Sequence, residues 1–311
     1  MSPMARWLVT GATGFVGSHL IAKLAERGHE TWAFVRPNRG GARRTLHASA
    51  RLVSGDVTDI TSVSSAISHV RPDVVAHLAA YGTMPGQVDS CRMINVNCVG
   101  SFNVIDACRQ GGVRCVIVAG SSSEYGRRLV PMKEDQVMEP YTLYGISKCF
   151  GSSLVGSYGR DHGLNCCTLR LFSPYGPGDS DSRLIPTLLR AVLDGQSPLL
   201  NSPSASRDFV YIEDVVEAFL VAAQHQRLNG RAFNIGSGKS YTVLDVVRAV
   251  SEVTGQPISP VWGASEAREH ESPVWVADST LAEEVLGFRA RVSLPEGLSR
   301  ILDTGDGCEH A

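Results

Sequence analysis

The segment Gly11-Ala12-Thr13-Gly14-Phe15-Val16-Gly17 constrains the fold more than any other stretch of these 311 residues. It follows the apolar run Arg6-Trp7-Leu8-Val9-Thr10 and opens a segment, 17–27, that carries Leu20, Ile21 and Leu24 on one helical stripe. A strand, a close-spaced glycine turn and an amphipathic helix in that order let backbone N–H groups approach a pyrophosphate at the positive end of a helix dipole. Side chains at Gly11, Gly14 or Gly17 would obstruct the turn, the phosphate approach or the helix packing. Glycine spacing alone describes a bland tight turn equally well, and its place between strand and helix is what favours a nucleotide site.

Segments 6–10, 30–35, 51–53, 74–80, 115–119 and 166–172 read as strands rich in Val, Leu and Ile without strict alternation. Parallel strands covered on both faces have that texture. Helical patterns separate them, including 96–109 with Val99, Phe102, Val104 and Ile105. Such a βαβαβ order predicts an α/β fold, a doubly wound parallel sheet with right-handed crossovers. After Phe172 the sequence turns loop-rich, so a smaller C-terminal lobe is expected. The division is 1–174 with 207–237 for the dinucleotide-binding domain and 175–206 with 238–311 for a substrate lobe.

The second strand ends in Val35-Arg36-Pro37-Asn38-Arg39, with no acidic residue for a ribose 2′-OH. Arg36, with Arg39, Arg43 and Arg44 downstream, suits a 2′-phosphate instead, because a guanidinium fork grips phosphate oxygens in bidentate fashion. NADP(H) is therefore expected over NAD(H). The competing reading is a solvated arginine face that tolerates either cofactor.

Lysine is scarce, at Lys23, Lys133, Lys148 and Lys239 only, and Lys148 stands four residues after Tyr144. On a helix that spacing puts both on one face. A free phenol titrates near pKa ~10, and a neighbouring cation together with a positive nicotinamide ring favours phenolate. Tyr144 then exchanges a proton with the reacting oxygen as hydride moves. The fifth strand runs into Gly120-Ser121-Ser122-Ser123-Glu124-Tyr125-Gly126. A hydroxyl there complements charge developing on the reacting oxygen, although a serine-rich turn has the same composition.

Lys and Arg total 29 against 31 Asp and Glu, a net charge of -2 with no basic block, which excludes nucleic acid and anionic membranes as expected partners. No apolar run is long enough to span a bilayer and the first strand begins almost at once, so a cytoplasmic protein is expected. Eight scattered cysteines lack a Cys-x-x-Cys spacing. They read as reduced structural thiols, with Cys166 and Cys167 on opposite faces of a strand and no metal site.

Over nearly its whole length the chain resembles the extended short-chain dehydrogenase/reductase family, the nucleotide-sugar epimerase, dehydratase and ketoreductase group. The likeness rests on 11–17, on Tyr144 with Lys148, and on Gly55-Asp56-Val57, His77-Leu78-Ala79-Ala80 and Asn95-Val96-Asn97. Pro174-Tyr175-Gly176-Pro177-Gly178, 207–214 and 233–238 extend it. The resemblance implies a Rossmann-type fold, with Gly11, Thr13, Gly14, Phe15, Val16, Gly17, Arg36, Asp56, Val57, Leu78, Ala79, Ala80, Asn97, Tyr144 and Lys148 at the cofactor. It implies Ser121, Tyr144 and Lys148 as the catalytic set, with Ser122 taking the hydroxyl's place if the turn is shifted by one. Ser122, Ser123, Ser173, Arg207 and Arg268 would face a nucleotide-diphosphate sugar, the two arginines at its diphosphate. Helices 96–109 and after Tyr144 would pair in a homodimer.

Dehydratases of the family carry Asp-Glu directly after the catalytic hydroxyl, where this chain has Ser122-Ser123, so that chemistry is disfavoured unless Glu124 takes the role. The leading expectation is an NADP(H)-dependent 4-ketoreductase of a nucleotide-linked, dTDP-type 4-keto-6-deoxyhexose. The alternative is an NAD-dependent nucleotide-sugar 4-epimerase. A dinucleotide-sensing protein without chemistry is the reading from another class, and intact Tyr144 and Lys148 argue against it.

Overall fold

A computed structural model describes residues 4–37, 46–84, 86–263 and 274–304. Its centre is a seven-stranded sheet of β1 (Arg6–Thr10), β2 (Glu30–Val35), β3 (Arg51–Ser54), β4 (Val74–His77), β5 (Cys115–Ser121), β6 (Cys166–Leu171) and β11 (Arg231–Ile235). The order is β11-β6-β5-β4-β1-β2-β3 with every pair parallel. Three short pairs lie outside it: β7 (Ser173–Tyr175) with β10 (Phe209–Tyr211), β8 (Leu199–Leu200) with β13 (Val261–Trp262), and β9 (Ser206–Arg207) with β12 (Tyr241–Thr242). The order reverses between β1 and β4, and in such sheets the crevice beyond the strand ends at that switch point takes ligands.

Helices cover both faces. α1 (Phe15–Glu26) buries Leu20, Ile21 and Leu24 on one face beside α7 (Ile212–Ala222), in a cluster that continues to α6 (Leu184–Asp194), α8 (Val243–Thr254) and α9 (Leu294–Asp303). The other face takes α2 (Ile60–Val70), α4 (Gly100–Gln110) and α5 (Leu143–Asp161). Cys166 belongs to the second cluster and Cys167 to the first, the opposite faces expected of neighbours on a strand. All seven described cysteines are free thiols.

Two boundaries differ from the sequence reading. β4 stops at His77: Leu78 N still donates to Thr10 O at 3.1 Å, but Ala79 N turns to the Thr10 hydroxyl at 3.3 Å as the chain skirts the glycine turn. The helix expected over 96–109 is the end of a longer run, α3 (Ser90–Ile94), a π-turn (Asn95–Val99) and α4. Asp89 caps its start by accepting from Arg92 N at 3.0 Å. Among the described residues, no helix is long and apolar enough to cross a membrane.

Candidate active site

The glycine turn is as tight as its spacing implies. Gly11 has φ +68°, and a Cβ on it would lie 2.6 Å from Ala79 N at the end of β4. On Gly17 a Cβ would lie 2.2 Å from Gly11 O. Only glycine lets α1 start this close to the strand ends. Its N-cap is Gly14, with no side chain to cap the first turn and no acidic residue within it. The helix start therefore keeps its positive end and its N–H donors for an anion, and Thr13, Phe15 and Val16 line a cleft of about 1120 Å³.

That cleft gathers most of the expected cofactor residues. Arg36 stands at its β2 end with Asp56 and Val57, and Leu78, Ala79 and Ala80 line it after β4. Asp56 is held by its Oδ1, which accepts from Thr58 N at 3.0 Å and Thr58 Oγ1 at 2.9 Å. The residues present fit a nicotinamide dinucleotide: a side-chain-free cradle for the pyrophosphate at α1 and an apolar floor at 78–80. Asn97 lies beside the lining residue Val96. It is buried outside the cleft lining, its amide donating to Tyr81 O and Ser147 Oγ while Oδ1 accepts from Tyr81 N at 2.8 Å. It braces the loop after β4 against α5, as the π-turn permits. Arg39, Arg43, Arg44 and Arg268 lie outside the described residues.

Ser121, Tyr144 and Lys148 converge on the same cleft. Thr142 caps α5, accepting from Gly145 N at 3.0 Å, so Tyr144 enters in the first turn with Lys148 one turn later. Gly145 is needed there, because a Cβ would lie 2.6 Å from Ser123 O. Burial pushes the Tyr144 phenol up to about 12; a hydrogen bond from Ser121 and the positive charge of Arg183 pull it down, while Glu124 pushes it up. Burial lowers the Lys148 ammonium, opposed by Glu124 and Cys98. His77 is buried between Thr10 Oγ1 at 2.7 Å and Ser101 Oγ at 3.1 Å, and burial followed by the Lys148 charge lowers it to about 3. It is a neutral prop beneath the site.

The serines divide by role. Ser121 Oγ accepts from Ser123 N at 3.1 Å. The Ser122 hydroxyl is buried and accepts from Trp275 Nε1 at 3.0 Å, although Ser122, Ser123 and Ser173 all line the cleft. Glu124, the residue that would rescue dehydratase chemistry, is wholly buried in an ion pair with Arg170 at 2.8 Å and is no free acid or base. Arg207 faces the cleft and stacks 4.7 Å over Trp275.

The cleft also holds Arg183 and Trp275, which no sequence motif singled out. Arg183 precedes α6 and donates to Thr83 O at 3.2 Å, spanning the cleft mouth. Trp275 lines the cleft from a segment fixed by a parallel bridge between Met132 and Ala277. The sequence offered only a lone aromatic in Val274-Trp275-Val276-Ala277 as a signal for it, and none for Arg183 beyond its charge.

The chain is similar to the UDP-glucose 4-epimerase of Mycolicibacterium smegmatis, 29% identical over 96% of this chain and 97% of that one. The UDP-glucose 4-epimerase of Corynebacterium glutamicum is 30% identical over 90% and 89%. Among solved structures, MoeE5 in complex with UDP-glucuronic acid and NAD superposes with TM-score 0.84 at 31% identity, covering 96% and 98%. UDP-glucose 4-epimerase from Thermotoga maritima with UDP-glucose gives TM-score 0.88 at 28% identity, covering 96% and 97%. Residues 7–236 match the family model for the NAD dependent epimerase/dehydratase family. With its glycine cradle, switch-point cleft and converged Ser121, Tyr144 and Lys148, this chain belongs to that family.

Proposed function

We propose that this protein is an NAD-dependent nucleotide-sugar 4-epimerase acting on a UDP-hexose. The observation that carries the reading is the single cleft in which the dinucleotide cradle, the Ser121–Tyr144–Lys148 set and Arg207 meet, in a chain whose curated relatives of near-equal length are UDP-glucose 4-epimerases. The reading replaces the expected 4-ketoreductase with its alternative. It also replaces the NADP(H) preference: neighbouring structures are complexes with NAD, and an enzyme that returns the hydride it removes has no need of a reductant pool. Arg36 at the cleft end is compatible with either dinucleotide.

When bound, the nicotinamide supplies a hydride acceptor and then a donor at C4 of the sugar. Tyr144 takes the proton of the C4 hydroxyl and later gives it back to the oxygen of the keto sugar presented by its other face. Ser121 donates to that oxygen and holds the Tyr144 phenol against the upward push of burial. Lys148, one turn along α5, supplies fixed positive charge on the same helix face. Arg207, stiffened by Trp275, holds the diphosphate. In this reading 1–174 with 207–237 binds the dinucleotide, and 175–206 with 238–311 closes over the sugar. A homodimer is part of the proposal, supported by exposed Phe102, Ile146 and Phe150 on α4 and α5.

The test is conversion of UDP-glucose to its C4 epimer without net cofactor consumption. Tyr144→Phe is expected to reduce kcat by about 10²- to 10⁴-fold while NAD binding persists. Stoichiometric NADPH loss with dTDP-4-keto-6-deoxyglucose, and no epimer, would return the ketoreductase.

A further inference from the structure

The catalytic groups sit on two elements: Ser121 ends β5, and Tyr144 and Lys148 belong to α5. Glu124, wholly buried on the turn after β5, touches both. Its Oε1 accepts from Ser121 N at 2.8 Å. Its Oε2 accepts from Ser152 Oγ of α5 at 2.6 Å and from Arg170 Nε of β6 at 2.8 Å. Its carbonyl faces the Cys149 thiol of α5 at 3.5 Å. Gly120 makes room for this carboxylate, since a Cβ there would lie 2.7 Å from Glu124 Oε1 and 2.5 Å from Thr168 Cγ2.

Arg170 carries the contact onward. Its Nη1 donates to Tyr125 Oη at 2.8 Å, and Tyr125 Oη donates to Asn234 Oδ1 at 2.6 Å. Asn234 Nδ2 donates to Met132 O at 2.8 Å, on the bridge to Ala277, two residues from Trp275.

We infer that Glu124, held by Arg170, is a positioning residue that sets Ser121 against Tyr144 by tying the end of β5 to α5. A buried ion pair is a weak source of stability, and an apolar pair of similar volume often holds a fold as well. An apolar pair cannot accept the Ser121 N–H and the Ser152 hydroxyl together. That double acceptance, rather than stability, is the use of the charge here, and the inference rests on the epimerase reading only for its kinetic assay.

The test compares Glu124→Gln and the double variant Glu124→Leu with Arg170→Met against the wild type. With UDP-glucose as substrate, the double variant is expected to stay folded with a KM within about threefold while kcat falls about 100-fold, the scale of a 1 Å misplacement. Glu124→Gln keeps an oxygen for Ser121 N and should retain more kcat than the double variant. In crystal structures of both proteins, the separation of Ser121 Oγ from Tyr144 Oη should be larger in the double variant than in the wild type. Native kcat or unchanged Ser121 geometry in the double variant overturns the inference, as does failure of that variant to fold. A wild type inactive on UDP-glucose sinks the epimerase reading alone, and the Ser121 geometry then decides this one.

Discussion

Replacing Gly17 by Ala adds one methyl group at the point where α1 leaves the glycine turn. That Cβ would stand 2.2 Å from Gly11 O and 2.8 Å from Ala12 Cα, both backbone atoms that no rotamer change can move. Reaching ordinary contact displaces the helix start from the turn by roughly 1 Å. The φ of Gly17 is an ordinary one for any residue, so the penalty is steric alone. Hydrogen bonds to a charged group contribute about 1.5–3 kcal/mol each. Stretching one between the first turn and the pyrophosphate should weaken NADH binding by about 10- to 100-fold, at 1.4 kcal/mol per decade. Overpacking costs about 1–3 kcal/mol, partly offset by about 1 kcal/mol of helix propensity gained over glycine, so the protein stays folded. Gly28→Ala is the control: φ is +78° with nothing within 4 Å of a Cβ. It should cost about 1–2 kcal/mol in urea unfolding and leave affinity unchanged. Calorimetric titration with NADH reads both variants. Gly17→Ala binding NADH within about threefold of wild type would refute the placement of the pyrophosphate at α1.

Three further outcomes follow from the geometry. His77 is lowered to about 3 by burial, so the unfolded chain binds its proton below pH ~6.5 before the folded one does. Its contribution is whole above that pH and declines toward pH 3. His77→Gln should therefore lose about 2 kcal/mol less than wild type between pH 7 and 5 in urea unfolding, and parallel declines would count against a neutral buried imidazole. Arg183→Leu removes a positive charge that lowers the Tyr144 phenol, so the acid limb of kcat/KM should move to higher pH; an unmoved limb would remove Arg183 from the site's electrostatics. Arg207→Ala should weaken competitive inhibition by UDP about 10- to 100-fold, and undiminished inhibition would place the diphosphate elsewhere.

Legibility in the sequence followed interaction range. The start of the chain could be read because strand, turn and helix are consecutive and glycine's role there is steric: Gly14 and Gly17 meet Gly11 O within the same turn, although a Cβ on Gly11 would strike Leu78 and Ala79 beyond β4. Tyr144 and Lys148 could be read because helix geometry fixes which face residues four apart share. Asn97 shows the opposite range: its amide partners, Tyr81 and Ser147, lie 16 and 50 residues away.

By itself, then, the sequence determined the parallel doubly wound sheet, the dinucleotide turn and the tyrosine–lysine pair, all set by short-range sterics and periodicity. Tertiary structure alone decided which polar groups are free to act. In sequence Glu124 is an acid after the serine turn that could serve dehydration, yet β6 lies beside β5 and brings Arg170, 46 residues away, against its carboxylate. Trp275 reaches Ser122 across 153 residues, and Arg183 meets Thr83 across 100. Burial and partner charge set what a titratable group does, and both are properties of elements brought together from distant parts of the chain, which no local pattern of residues encodes.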